Sequence, residues 1–315
     1  MRTFKRNGLE CKIKAGDSKL NNVEARGTMT KIKIVTDSAA DIPPQIREEL
    51  GITVVPLYVR FGEETFKDGV TISNEEFYRR LVKGDVYPNT IQPSPQDFTE
   101  AYEQLSKGAD GIVSIHLSDK FSGTSNSAKQ ARDMMKSKCP IEVINSDSMT
   151  IGLGMICIAA ARAAKAGENM AAVVKEVDEA IPQIHFMVLF DSLKYLAKGG
   201  RIGQAKKLLG TLLNIKPLLG MKDGIVVPVG QARSYAKGIE KQYTFLSDAL
   251  SEKGNVKDLA IMYNTTKDEA NNLADRIAPL YPREKIIMGE IGPILGSHAG
   301  PNLLVACYRG TKPVN

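Results

Sequence analysis

The chain has no tryptophan, and aromatic residues make up only 6% of its 315 positions. Proteins that grip single-stranded nucleic acid stack bases on such rings, so that class is poorly served here. Cysteine is scarce too. Cys11, Cys139, Cys157 and Cys307 stand far apart with no Cys-x-x-Cys pair. That argues against a disulfide scaffold and fits free thiols in a reducing, cytoplasmic compartment. His116, His185 and His298 are too widely spaced to suggest a metal site. Long apolar runs are missing as well. The longest candidate, 151–164, carries Arg162 and falls short of the roughly 18 residues a membrane span needs. It reads as a buried helix, and no stable membrane insertion is expected.

Familiar catalytic signatures are also absent. There is no Gly-x-Ser-x-Gly elbow and no phosphate loop ending in Gly-Lys-Ser/Thr. Gly152-Leu153-Gly154 lacks the third glycine of a dinucleotide fingerprint, because Cys157 stands there. Close helix packing is the plainer reading. The net charge of +6 is unevenly spread: residues 1–29 hold seven basic and three acidic side chains, leaving +2 for the rest. A nearly neutral body argues against nucleic acid as a partner, since such binding rests on neutralising phosphates. Residues 1–29 show no apolar periodicity and no signal-peptide core. They read as a disordered extension or a mis-called start, with a basic binding arm as the other option.

What is present is ordinary globular material, 43% hydrophobic and 25% charged, long enough for about two domains. Strands are expected at 31–35, 54–59, 112–115 and 141–144, alternating with helices at 75–81, 96–105, 128–135 and 151–164. Ser73-Asn74-Glu75-Glu76 is a capping box, and Ser94-Pro95 has the cap-then-proline order of a helix start. This alternation predicts a mostly parallel α/β domain. Past 184 the grammar changes. Apolar runs at 186–190, 215–221 and 225–229 appear, and Asp223-Gly224 between the last two signals a hairpin and antiparallel pairing. A helix at 236–250, a strand at 259–263, a Thr266-Lys267-Asp268-Glu269 capping box with its helix, and strands at 285–291 and 303–308 complete an α+β half. The expected division is an extension over 1–29 and domains over 30–180 and 181–315.

The stretch richest in chemistry is 116–128, reading HLSDKFSGTSNSA. Strand, hydroxyl-rich turn and helix start would aim free backbone N–H groups and the Ser122, Thr124, Ser125 and Ser127 hydroxyls at one small volume. That suits a carboxylate or phosphate. An ordinary N-cap by Ser122 or Thr124 explains the same residues, and both readings stay open. Thr36-Asp37-Ser38, with Asp41 just after, sets hydroxyls and carboxylates at a strand's C-terminal end, where open α/β sheets place ligands. Turn chemistry explains them equally. Prolines flank Thr90 and Gln92 in the rigid segment PNTIQPSP, 88–95. His298 lies in Gly296-Ser297-His298-Ala299-Gly300-Pro301, where glycines let the backbone approach a cleft. Neutral donors and one imidazole suit a carboxylate clamp better than a nucleophile site, unless His298 also contacts a serine. Arg201 follows Gly199-Gly200, and Arg233 follows the second hairpin strand. Each is a solvated charge or a phosphate contact.

Six of these pieces recur together in one known family. Val35-Thr36-Asp37-Ser38 with Asp41 and Pro43, Thr90-Ile91-Gln92-Pro93-Ser94, and Ser122-Gly123-Thr124 come first. Leu196-Ala197-Lys198-Gly199-Gly200-Arg201-Ile202, Lys216-Pro217 with Asp223-Gly224, and Ser297-His298-Ala299-Gly300-Pro301 follow. From about residue 31 to 309 the chain resembles the DegV family of bacterial fatty-acid-binding proteins. The resemblance implies a two-domain α/β fold of the EDD type with a buried acyl chain such as palmitate or oleate, and no further cofactor. The carboxylate would be held near the interdomain cleft by Thr90 and by Ser122, Gly123 and Thr124, with His298 nearby and Asp37, Ser38 and Gln92 supporting the cleft. It further implies a cytoplasmic carrier, itself no enzyme, that presents the chain to a separate fatty acid kinase subunit for phospholipid synthesis. Arg201 and Arg233 would meet the kinase or the acyl phosphate. Two departures stand out: Ile91 replaces a usual serine, and Ser125-Asn126 follows the turn where an aromatic and Gln or Asn are common. The rival reading is an enzyme acting on a small carboxylated or phosphorylated metabolite at the same cleft, resting on the polar strand ends near Asp37 and Asp147.

Overall fold

The computed structural model describes residues 30–84, 86–210, 215–252, 254–311 and 313. The extension expected over 1–29 lies outside the described residues. The first half runs β1 (Ile32–Asp37), α1 (Pro44–Leu50), β2 (Thr53–Val55), β3 (Tyr58–Phe61), β4 (Glu64–Lys67), α2 (Asn74–Lys83), β5 (Asn89–Ile91) and α3 (Pro95–Ser106). It continues with β6 (Gly111–His116), α4 (Thr124–Met134), β7 (Ile141–Asn145), α5 (Thr150–Lys165) and α6 (Met170–Ala180). The second half runs β8 (Ile184–Leu189), α7 (Lys194–Lys198), β9 (Lys216–Lys222), β10 (Ile225–Ala232), α8 (Tyr235–Ser251), β11 (Val256–Tyr263), α9 (Lys267–Ile277), β12 (Ile286–Glu290), α10 (Pro293–Ala299) and β13 (Leu304–Gly310).

Three sheets result. Strands β2-β1-β6-β7 form a wholly parallel sheet. Its faces are covered by helices, which is why β6 is buried at every position and reads as a continuous apolar run. Strands β10-β9-β8-β13-β11-β12 form a mixed sheet, antiparallel except for the β11–β12 pair. The architecture is therefore α/β, with a parallel sheet built from the first half and a mixed sheet from the second. The hairpin at Asp223-Gly224 forms as its residues require, with both in the left-handed region at φ 51 and 74.

The third sheet, β4-β3-β5, is small, antiparallel and absent from the sequence reading. The single strand expected at 54–59 is two strands in two different sheets. Pro56 lies between them and has no N–H to offer a ladder. The rigid segment at 88–95 contains β5, where Thr90 pairs with Val59. Three- and four-residue strands carry too little period-2 signal to be seen. The Thr266 capping box also fails: its hydroxyl donates to the Leu303 carbonyl at 2.8 Å and leaves the helix start alone. Ser73 and Ser94 do cap α2 and α3.

Helix α5 is the wall between the two large sheets, packing on β1 on one side and on β8 and β13 on the other. It is apolar all round because it is buried all round. Gly152 lies against the Phe186 ring of β8, and a Cβ at Gly154 would come within 2.7 Å of the Ala40 carbonyl oxygen. The two glycines cost the helix about 1 kcal/mol each in propensity. Burying Ile151, Leu153, Met155, Ile156 and Ile158 stabilises it by about 1.5–3 kcal/mol apiece, so packing decides.

Candidate functional site

Between the two halves lies a cavity of about 110 Å³, part of it open to solvent. Its wall is mostly apolar. The first half supplies Ala39, Leu57, Leu117, Phe121 and Met149, and the second supplies Phe190, Leu196, Val226, Ile294 and Leu295. Polar groups on the lining are few: Thr90, Gln92, Ser122, Thr150, Arg201 and His298.

The pair at the centre of this polar group is Thr90 and His298. Strand β5 holds Thr90 by its pairing with β3, and α10 carries His298 across from the other half. Thr90 Oγ1 and His298 Nε2 lie 2.8 Å apart. His298 Nδ1 is buried and has no hydrogen-bond partner among the described residues. Gly199 packs directly against that nitrogen, leaving no room for a side chain there. Burial, with the Arg201 charge adding to it, pulls the imidazole down to about 4, so the ring is neutral at pH 7. Arg201 is exposed at the rim, donating through Nη1 to the Gly199 carbonyl at 2.8 Å and through Nε to Phe121 at 3.3 Å.

The Ser-Gly-Thr turn departs from one of its two readings, the ordinary N-cap. Neither Ser122 nor Thr124 caps α4. Gly123 is the cap residue and no local side chain bonds the helix start. Gln92 does that work from 31 positions away, accepting from Gly123 N–H at 3.1 Å and donating to Ser127 Oγ at 3.0 Å. Ser122 is thus free to line the cavity, with its hydroxyl 2.8 Å from that of Thr124. Two expected carboxylate contacts change as a result. Gly123 N–H is already engaged by Gln92, and Thr124 is fully buried behind Ser122.

Asp37 and Ser38 do not line this cavity; they hold its wall from behind. Asp37 accepts from the N–H groups of Ala39 and Leu117, each at 3.1 Å, and Ser38 Oγ accepts from Leu57 N–H at 3.0 Å. All three of those N–H groups belong to lining residues. Asp37 also meets His116 Nδ1 at 3.0 Å, and the chain continues through His116 Nε2 to Ser114 and Tyr102. Asp37, His116 and Ser114 have the hydrogen-bond order of a nucleophilic triad, yet all are fully buried. Arg233 is exposed just past β10 and away from the lining.

The lining is thus mostly apolar with a few hydroxyls and one uncharged imidazole, and comparison with known proteins shows the family. The sequence pattern of the DegV family, described as an uncharacterised protein family, matches residues 31–309. The chain belongs to the DegV family. It is 37% identical over 274 residues to a DegV domain-containing protein of Caldanaerobacter subterraneus, covering 87% of this chain and 97% of that one. Among solved structures it resembles a DegV family protein from Thermus thermophilus characterised by fatty acid binding, with TM-score 0.82 and 31% identity over 90% of this chain and all of that one. DegV of Bacillus subtilis, a fatty acid binding protein, gives TM-score 0.82 and 30% identity over the same shares.

In this DegV-family chain, sequence reasoning missed a set of contacts next to Leu196 and His298 in the chain. Tyr87 OH reaches the carbonyls of Tyr195 at 2.9 Å and Ser297 at 3.2 Å, joining the loop before β5 to α7 and α10. Its ring stacks on Tyr195, and Lys198 Nζ sits 4.0 Å from the centre of that ring. Tyr195 in turn packs on Gly300, which is left-handed at φ 79. The aromatic Tyr87 beside Pro88 was the available signal.

Proposed function

We propose that the protein is a carrier that holds one long-chain fatty acid in this cavity, with the carboxylate at Thr90, Ser122 and His298. The supporting observation is the Thr90–His298 contact at the polar end of an apolar space walled by both halves. Fatty acid binding by the two structural relatives lends it weight. Neutral donors offset a carboxylate without attacking it. Each buried CH₂ contributes about 0.8 kcal/mol, so a palmitate or oleate tail supplies most of the affinity. Domains 30–180 and 181–315 enclose the ligand jointly in this reading. Arg201, at the rim, is the group available to a separate kinase that phosphorylates the presented carboxyl group, and Arg233 is a more distant contact. The buried thiols Cys157 and Cys307 suit a reducing cytoplasm. The enzyme alternative rested on the strand ends near Asp37 and Asp147; the first carboxylate is already engaged inside the wall, and the second is not among the lining residues of this cavity. Native mass spectrometry of protein purified from cells tests the proposal. A bound mass matching a fatty acid is expected. A bare protein that also refuses added palmitate and oleate overturns it.

A further inference from the structure

Behind the lipid cavity lies a second and more polar cleft, lined among others by Asp37, Asp41, Arg47, Asp68, Tyr263 and Glu290. Asp41 stands between the two. Its Oδ2 accepts from Thr150 Oγ1 at 2.6 Å, and its Oδ1 accepts from Gly292 N–H at 2.9 Å. Thr150 opens α5 and lines the lipid cavity, while Gly292 immediately precedes α10, which carries Ile294, Leu295 and His298 into it. One carboxyl therefore fastens a wall of the first half to a wall of the second. Asp41 and Thr150 both hold left-handed backbone, at φ 47 and 46. Such a conformation costs a non-glycine residue about 1–3 kcal/mol and persists only where its surroundings enforce it.

We propose that Asp41 is a proton-sensitive tie between the two walls of the lipid cavity, holding it shut when the carboxyl is neutral and favouring its opening when the carboxyl is ionised. This rests on the cavity being the fatty-acid site. A neutral Asp41 keeps both contacts, because a proton on Oδ2 is donated to Thr150 Oγ1 while Gly292 N–H still bonds Oδ1. An ionised Asp41 adds a negative charge beside Asp68 and Asp37. The other titratable groups around it do little to offset that charge. Tyr78 of α2 donates its hydroxyl to the Ile291 carbonyl, Tyr263 and Glu290 face the cleft from the mixed sheet, and Arg47 of α1 is the one cation among the described residues lining it. Burial pushes the Asp41 carboxyl up to about 7 against the pull of the Thr150 and Gly292 hydrogen bonds, and pushes Asp68 up to about 6. Asp41 already lines the second cleft half-buried; an opened form, in which water surrounds it on both sides, has a pKa nearer that of an ordinary carboxylate. Rising pH through 7 therefore shifts the balance toward that form by linkage.

The test is the rate at which bound cis-parinaric acid leaves the full-length protein when chased with excess oleate, from about pH 5.5 to 8.5. The wild-type rate should rise about threefold or more across this range. Asp41→Asn, whose amide reproduces the neutral carboxyl and tolerates left-handed backbone, should release slowly at every pH. Damage to the fold would speed release, so slow and flat kinetics identify the tie. Asp68→Asn removes a repulsion, so Asp41 keeps its charge to lower pH and the rise should move to lower pH. It decides the matter if Asp41→Asn does not fold. A pH-independent wild-type rate, an Asp41→Asn variant that keeps the wild-type slope, or an Asp68→Asn rise that does not move overturns the tie while leaving the lipid reading intact. Failure of the probe and of oleate to bind at any pH overturns both.

Discussion

His116 and His298 each stand with Nε2 2.8 Å from a hydroxyl oxygen, yet they belong to different kinds of place. His116 has Asp37 on its other nitrogen and Phe98 edge-on to its ring, and nothing in that chain of groups reaches solvent. His298 has a second nitrogen without a partner among the described residues, lines a cavity and sits next to an exposed arginine. Residue type and contact distance do not separate them. What does is whether every donor and acceptor is already matched. A fully matched polar chain buried on every side can only hold structure, whereas Thr90 and His298 stand on the lining of a cavity, where a ligand can meet them.

Removing one group from each side should break the comparison most sharply. Asp37→Ala orphans two buried backbone N–H groups and His116, and should lower the unfolding free energy by about 3–5 kcal/mol in denaturant titration. Thr90→Ala should cost the ligand-free protein less than about 1 kcal/mol. Equal losses would erase the distinction. Next in size, Thr90→Ala and Ser122→Ala should each weaken fatty acid affinity by about 1–3 kcal/mol, read by displacement of a fluorescent acyl probe. Unchanged affinity in both would remove them from the clamp.

A smaller effect separates His298 by its pH response. Its folded value of about 4 lies below the ordinary 6.5, so between those limits the unfolded chain binds a proton that the native site refuses. Stability therefore falls as pH drops through this window, and His298→Gln should lack that part of the loss. Denaturation midpoints near pH 7 and pH 4.5 for the two proteins check it. The mildest expected effect on binding is at the rim. Arg201→Ala should leave fatty acid affinity within about threefold, since an exposed charge contributes little, while kinase-coupled phosphorylation of the bound acyl chain falls. Loss of lipid binding instead would move Arg201 into the clamp.

Much of this was legible in the chain itself, because the signals are local. The alternation of strands and helices in the first half, the Asp223-Gly224 hairpin and the Ser94-Pro95 helix start depend on neighbours within a few positions. The apolar, glycine-punctuated α5 announced its own burial in the same way. The motif residues Thr90, Ser122 and His298 were readable as a set only through the family resemblance, since one sits on β5, one in the turn before α4 and one on α10. What local pattern could not settle was which polar cluster faces open space. Asp37 and Ser38 could be read as a ligand site or as turn chemistry, and they brace the cavity wall from behind. Gln92 looked like a supporting group and caps a helix 31 residues away. Those outcomes depend on partners brought together from distant parts of the chain, Asp37 with His116, Thr90 with His298, Asp41 with Gly292. Only the packing of β5, α5 and α10 around a common cavity decides which hydroxyls are used up and which remain to meet a ligand.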